Sequence, residues 1–139
     1  MISLDAGILY AAVNARSPHF PAARELVEKL SASRDVVVSE QVLIQLYGAL
    51  AHADPAGAEK VVRALRRNPN WRIVDVQYTR VQMNAVWEAV FAQGEDLATI
   101  YRRRLIATLR QNGVTVFYTE EAAAFAELGF EAAVNPYAE

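Results

Sequence analysis

The chain has 139 residues, a length that suits one compact domain with a sizeable core. Hydrophobic residues make up 53% and charged residues 22%, and 14 Lys+Arg against 16 Asp+Glu leave a formal charge of −2. This balance argues neither for nor against nucleic acid: a protein that coats it non-specifically is normally clearly basic, whereas one that grips a short stretch of RNA through a local patch need not be.

There is no cysteine, which rules out disulfides, thiolate metal sites and cysteine nucleophiles. The opening MISLDAGILY has no basic segment ahead of an apolar stretch, and no apolar run reaches the ~18 residues a bilayer requires. The expectation is a cytoplasmic protein with no membrane association.

In chain order, Ile2 to Leu4 is a short apolar run stopped by Asp5 and Gly7, and it reads as a buried strand. A helix follows from about Ile8 to Asn14. Ser17-Pro18 opens a second helix, with Ala22, Ala23, Leu26, Val27 and Leu30 spaced by three and four. Val36-Val37-Val38 is a second buried strand, and Ser39 caps a helix through Val42, Leu43, Leu46 and Leu50. Asp54-Pro55 starts another helix, which ends near Asn68-Pro69. Trp71 to Val76 alternates as a third strand, and helices over Val81 to Phe91 and Leu97 to Gln111 are separated by Gly94. Asn112-Gly113 stops the last of these, Val114 to Tyr118 forms a fourth strand, and a short helix spans Ala122 to Ala126.

Strands alternating with helices imply an α/β fold with a mostly parallel sheet covered on both faces. Sites in such folds form just beyond the carboxyl ends of strands. That rule singles out Asp5, Ser39, Glu40, Thr119, Glu120 and Glu121.

The segments LDAGILYAAVN, SPHFPAARELVEKL, VVVSEQVLIQLY, RRRLIATLRQNGVTVFYTEEAAAFAELGF and VNPYA, taken in order, resemble a PIN domain of the VapC toxin type. The resemblance covers nearly the whole chain and implies a single PIN-like domain over 1–139. It implies a three-layer α/β/α fold with a central sheet of four to five strands. It also implies a ribonuclease that uses Mg²⁺ or Mn²⁺ held by three or four carboxylates, a partner antitoxin and a homodimer. Hard divalent cations favour clustered oxygen ligands, and the ion activates water and stabilises charge on the phosphodiester.

Against that pattern the acids are largely replaced. Asp5 stands where the family places its first acid, but Ala6 and Gly7 supply no polar support. The second acid ends a pattern like Q-V-L-x-E; here Gln41-Val42-Leu43-Ile44-Gln45 puts Gln45 there, an amide without charge. Nearby Glu40 reads either as a substitute or as an acid that complements a helix start. The third acid opens a motif like D-A-R-L-A-A-T-L, and aligning Arg104 to Leu109 on it places Arg102 at the acid's position. Arg102 shares a helix face with Leu105, Ile106 and Leu109, so its guanidinium is expected to point inward, pair with Asp5 and compete with a metal. Arg103 and Arg104 project elsewhere and read as solvated or rim charges. The fourth acid, in a pattern like T-x-N-x-x-D-F, falls on Ala124, while Glu121 takes the Asn position and is a possible ligand. Glu120 and Glu121 equally read as first-turn acids of a short helix.

Other signals are weaker. His19 and His52 lack partners at metal spacing and read as surface residues. Arg63, Arg66, Arg67, Arg72 and Arg102 to Arg104, with Trp71 and Tyr101, either form a groove for RNA or serve as helix-end charges. Tyr47, Trp87 and Phe91 offer apolar surface that a dimer or an antitoxin would cover.

Three readings follow. The first is a pseudo-nuclease that binds RNA, a phosphate-bearing molecule or a protein partner such as an antitoxin, with no metal and with Arg102 paired to Asp5. The second is an active Mg²⁺- or Mn²⁺-dependent ribonuclease with a rearranged site of Asp5, Gln45 and Glu121. The third is a non-catalytic interaction module.

Overall fold

A computed structural model describes residues 1–75 and 79–138. Its centre is a parallel five-stranded sheet of β1 (Ile2–Leu4), β2 (Val36–Ser39), β3 (Trp71–Val74), β4 (Val116–Tyr118) and β5 (Ala133–Val134), in the order β3-β2-β1-β4-β5. Val36, Val37 and Val38 are wholly buried, as β-branched residues covered on both faces of a parallel sheet should be.

Among the described residues, seven helices cover the sheet: α1 (Ala6–Val13), α2 (Phe20–Ser31), α3 (Glu40–Ala51), α4 (Pro55–Arg66), α5 (Arg80–Gln93), α6 (Leu97–Gln111) and α7 (Ala122–Glu127). The chain steps from β1 to β2 to β3 in one direction and then returns to β4. Right-handed crossovers therefore place α1 to α4 on one face and α5 and α6 on the other. The packing of α1 on α2 and α3, and of α5 on α6, follows that division. Phe117 of β4 and Phe125 of α7 meet edge to face at 5.1 Å, and Phe130 joins them.

The register sets the site. Leu4 pairs with Tyr118, so the next residues of the two strands, Asp5 and Thr119, emerge side by side at the carboxyl edge. Ser39 ends β2 on the same edge and caps α3 by accepting the Gln41 N–H at 3.1 Å.

The elements differ from the sequence reading in several places; the fourth strand, for one, begins at Val116 rather than Val114, and α5 runs past both ends of the expected Val81 to Phe91. The first helix starts at Ala6, two residues early, because Asp5 caps it. Ser17-Pro18 belongs to a turn in which the Phe20 N–H donates to the Ser17 carbonyl, and α2 begins only at Phe20. The third strand covers Trp71–Val74, and Val76 lies outside the described residues. The tail before Asn135 contains β5, which the sequence reading had not assigned as a strand. Two residues are too few to show alternation, and the strand exists because β4 offers it a free edge.

Candidate functional site

Asp5 stands between β1 and α1, where extended backbone lets one carboxylate both end a strand and cap a helix. Its Oδ1 accepts the Ala6 N–H at 2.8 Å, and its Oδ2 accepts the hydroxyl of buried Thr119 at 2.6 Å. Burial raises the Asp5 carboxyl above its ordinary value of 3.8, and the charge of Glu121 adds to this. The bonds from Thr119 and Ala6 and the charge of Arg102 pull it back. Thr119 ties the corner together, because its Oγ1 also accepts the N–H of Glu121 at 3.1 Å.

Glu121 precedes α7 but makes no side-chain cap there. Its Oε2 accepts the Nε–H of Arg102 from α6 at 3.2 Å instead. The Arg102 side chain is 25% exposed and that of Glu121 55%. The sequence reading had paired Arg102 with Asp5, and here the structure differs. The Asp5 oxygens point onto Ala6 and Thr119, so the guanidinium takes the more exposed carboxylate and acts on Asp5 only through its field.

Asp5, Gln45, Arg102 and Glu121 all line one cleft of about 230 Å³, with Gln41 and Tyr101 at its sides and buried Leu105 and Phe125 behind. Gln41 was not singled out from the sequence, although its spacing of four from Gln45 puts both amides on one helix face. Its Nε2 donates to the Tyr101 carbonyl at 3.2 Å and fastens α3 to α6. Asp96, the N-cap of α6, was also missed. Bonds from the Thr99 hydroxyl and N–H hold its carboxyl below the ordinary range, and Arg102 contributes through its charge.

The remaining candidates lie elsewhere. Glu40 is the first residue of α3 and is ion-paired to Arg66 of α4. Glu120 is exposed. Arg103 is half-buried rather than solvated, gripped by both oxygens of Glu95 at 2.5 and 2.6 Å. Trp71 belongs to the core and donates its indole N–H to the Leu30 carbonyl at 2.8 Å, so it is not available to stack on a base. Arg63 pairs with Glu59, which with the Arg66 pair leaves the basic run partly neutralised. His19 stacks on Tyr137 at 4.0 Å.

No family model matches the sequence. Ribonuclease VapC24 from two strains of Mycobacterium tuberculosis is 31% identical over 144 residues, covering 98% of this chain and 97% of the relative. The chain belongs to the VapC family. Solved structures agree on the fold. VapC20 of Mycobacterium tuberculosis, described as a sarcin-ricin loop cleaving toxin, superposes with a TM-score of 0.73 at 21% identity. It covers 95% of this chain and 98% of its own. FitAcB from Neisseria gonorrhoeae gives 0.72 at 18% identity, covering 100% of both chains. The sheet between its helical layers is thus the α/β/α sandwich of a VapC-type PIN domain.

VapC-family ribonucleases depend on a metal ion. Among the described residues, no three His, Cys, Asp or Glu side chains gather as ligands. Of the four cleft groups, Gln45 is neutral, Glu121 is ion-paired to Arg102, and Asp5 is committed to two donors. A guanidinium already supplies the positive charge that a divalent ion would bring, so this donor set does not fit one. Among the described residues, no helix is long and apolar enough to cross a membrane.

Proposed function

We propose that this VapC-family chain has given up metal-dependent RNA cleavage and works by binding. Its cleft would take RNA, and the exposed apolar side chains of α3 and α5 would serve an antitoxin or a second copy of the chain. One observation carries the reading: Arg102 stands where the family resemblance puts an acid, and it is ion-paired to Glu121 in the cleft that also holds Asp5. The relatives' names support RNA as the ligand, since one is a ribonuclease and another cleaves the sarcin-ricin loop. Tyr47 and the Trp87–Phe91 stack at 5.5 Å are exposed and support the partner surface.

Calorimetry with Mg²⁺ and Mn²⁺, together with RNA gel shifts, tests this. The expected result is RNA retained without cleavage, weakened by Arg102→Ala, with no metal binding at millimolar affinity. Metal binding at that level, lost in Asp5→Ala, overturns it. A second reading, a rearranged metal-dependent nuclease, draws support from Asp5, Gln45 and Glu121 meeting in one cleft. Mg²⁺-dependent RNA degradation abolished by Asp5→Ala would establish that reading instead.

A further inference from the structure

We infer that the cleft beside Arg102 is a binding site for a terminal phosphate, the phosphomonoester of an RNA end or a free phosphate. The inference rests on the metal-free reading above and goes beyond it by naming the group the cleft selects.

Arg102 spends only Nε on Glu121. Among the described residues neither of its Nη nitrogens has a hydrogen-bond partner, so the fork remains open in the cleft. A planar guanidinium fork matches two phosphate oxygens, and such charge-assisted pairs are about twice as strong as neutral ones. Gln45 adds a second donor, because its side-chain amide has no partner among the described residues and lines the same space. The Gln41 amide is held in place by the Tyr101 carbonyl.

Two carboxylates oppose an anion here, and each has an outlet. Glu121 is more than half exposed, so an incoming phosphate displaces it into water at little cost. Asp5 has its oxygens turned onto Ala6 and Thr119, which donate toward its charge.

Size and charge then select a chain end over a chain interior. At about 230 Å³ the cleft falls below the roughly 300–1,000 Å³ of pockets for larger ligands. Buried Leu105 and Phe125 back it. That space suits a phosphate and part of its ribose. A terminal phosphate carries about −1.5 to −2 charges at neutral pH and three strong acceptors. An internal phosphodiester carries one charge and two free oxygens, so an open guanidinium favours the end.

The test uses a single-stranded oligoribonucleotide prepared with a 5′-phosphate, with a 3′-phosphate, or with hydroxyls at both ends, its fluorophore on an internal base. Fluorescence anisotropy is read in EDTA at fixed ionic strength, and calorimetry with inorganic phosphate runs beside it. The expected result is binding about ten- to a hundredfold tighter for a phosphorylated end. Arg102→Lys, which keeps the charge without the fork, should lose most of that preference, and Arg102→Gln all of it. Circular dichroism checks the fold of both variants.

Equal binding of phosphorylated and hydroxyl RNA overturns this inference while leaving RNA binding intact. Arg102-dependent binding of inorganic phosphate with no RNA bound supports the phosphate site from the free source and sinks the RNA reading. Absence of any Arg102-dependent phosphate effect, on RNA or alone, overturns the inference outright.

Discussion

Arg102 donates Nε to Oε2 of Glu121 at 3.2 Å while the nearby Asp5 accepts from Thr119 at 2.6 Å, so the cleft holds two separate polar pairs. The distinction matters chemically. A metal site needs several carboxylates facing one point, and their mutual repulsion is what the ion relieves. Here the repulsion is relieved within the chain: Thr119 turns one oxygen of Asp5 aside, and Arg102 neutralises Glu121.

On the metal-free reading proposed above, putting acids back should create a metal site. The double substitution Arg102→Asp and Gln45→Glu places four carboxylates around the cleft that Asp5 and Glu121 already line. Without metal the variant should melt below the wild-type protein, because like charges crowd a small space. With Mn²⁺ at a hundredfold over its Kd it should regain about 2.7 kcal/mol. Thermal melts with and without Mn²⁺ check this, and an equal Mn²⁺ shift in the unaltered chain contradicts it.

Asp5 supplies a second prediction through pH. Its folded-state carboxyl is raised above 3.8, chiefly by burial, so the folded chain holds that proton more tightly than the unfolded one. Stability from this group is therefore fully present below the unfolded value and is lost as pH rises through the folded value. Asn in its place can still accept the Ala6 N–H and never ionises. Asp5→Asn should flatten the pH dependence above 3.8 and leave the protein at neutral pH no less stable than the parent. Urea titrations from pH 4 upward measure this, and a clear loss of stability at pH 7 would mean that the bonds from Thr119 and Ala6 to the ionised carboxylate outweigh its burial.

The fold was legible because its signals are local and redundant. Val36 to Val38 can only be a buried strand, Ser39 and Gly94 bound their helices as expected, and the strand-end rule pointed to Asp5 and Thr119 together. The partners of Arg102 were less legible. Helix periodicity shows that Arg102 faces inward, but which carboxylate it meets depends on where Thr119 sends Asp5. That bond spans 114 positions along the chain. Strand β5 was hidden for a related reason, since two residues carry no pattern and gain their identity from β4.

Arg103 and Glu95 yield a third prediction with the opposite sign. The Arg103 bonds hold the Glu95 carboxyl below its ordinary 4.5, so the clasp is present above that value and is lost as pH falls through the lowered one. The clasp fixes the α5–α6 corner, next to the left-handed cap at Gly94. Glu95→Gln should speed amide hydrogen exchange in α5 at pH 7 and leave exchange in β1 and β2 unchanged. Equal acceleration throughout would mean the clasp supports the whole fold.

Two helical glycines separate backbone entropy from capping. At Gly48 in α3 an added Cβ meets nothing within 4 Å, so Gly48→Ala should stabilise by about 0.5–1 kcal/mol through helix propensity alone. At Gly57 in α4 the same Cβ would lie 2.2 Å from Oδ2 of Asp54, the carboxylate that caps the helix on the Gly57 N–H at 3.0 Å. The Asp54 side chain can swing away, but then the cap is lost at a cost of about 1 kcal/mol, which cancels the gain in propensity. Gly57→Ala should therefore come out near zero in chemical denaturation. Combined with Asp54→Ala, where no cap remains to lose, it should recover the full gain. A Gly57→Ala gain as large as that at Gly48 would show that the Asp54 cap contributes nothing.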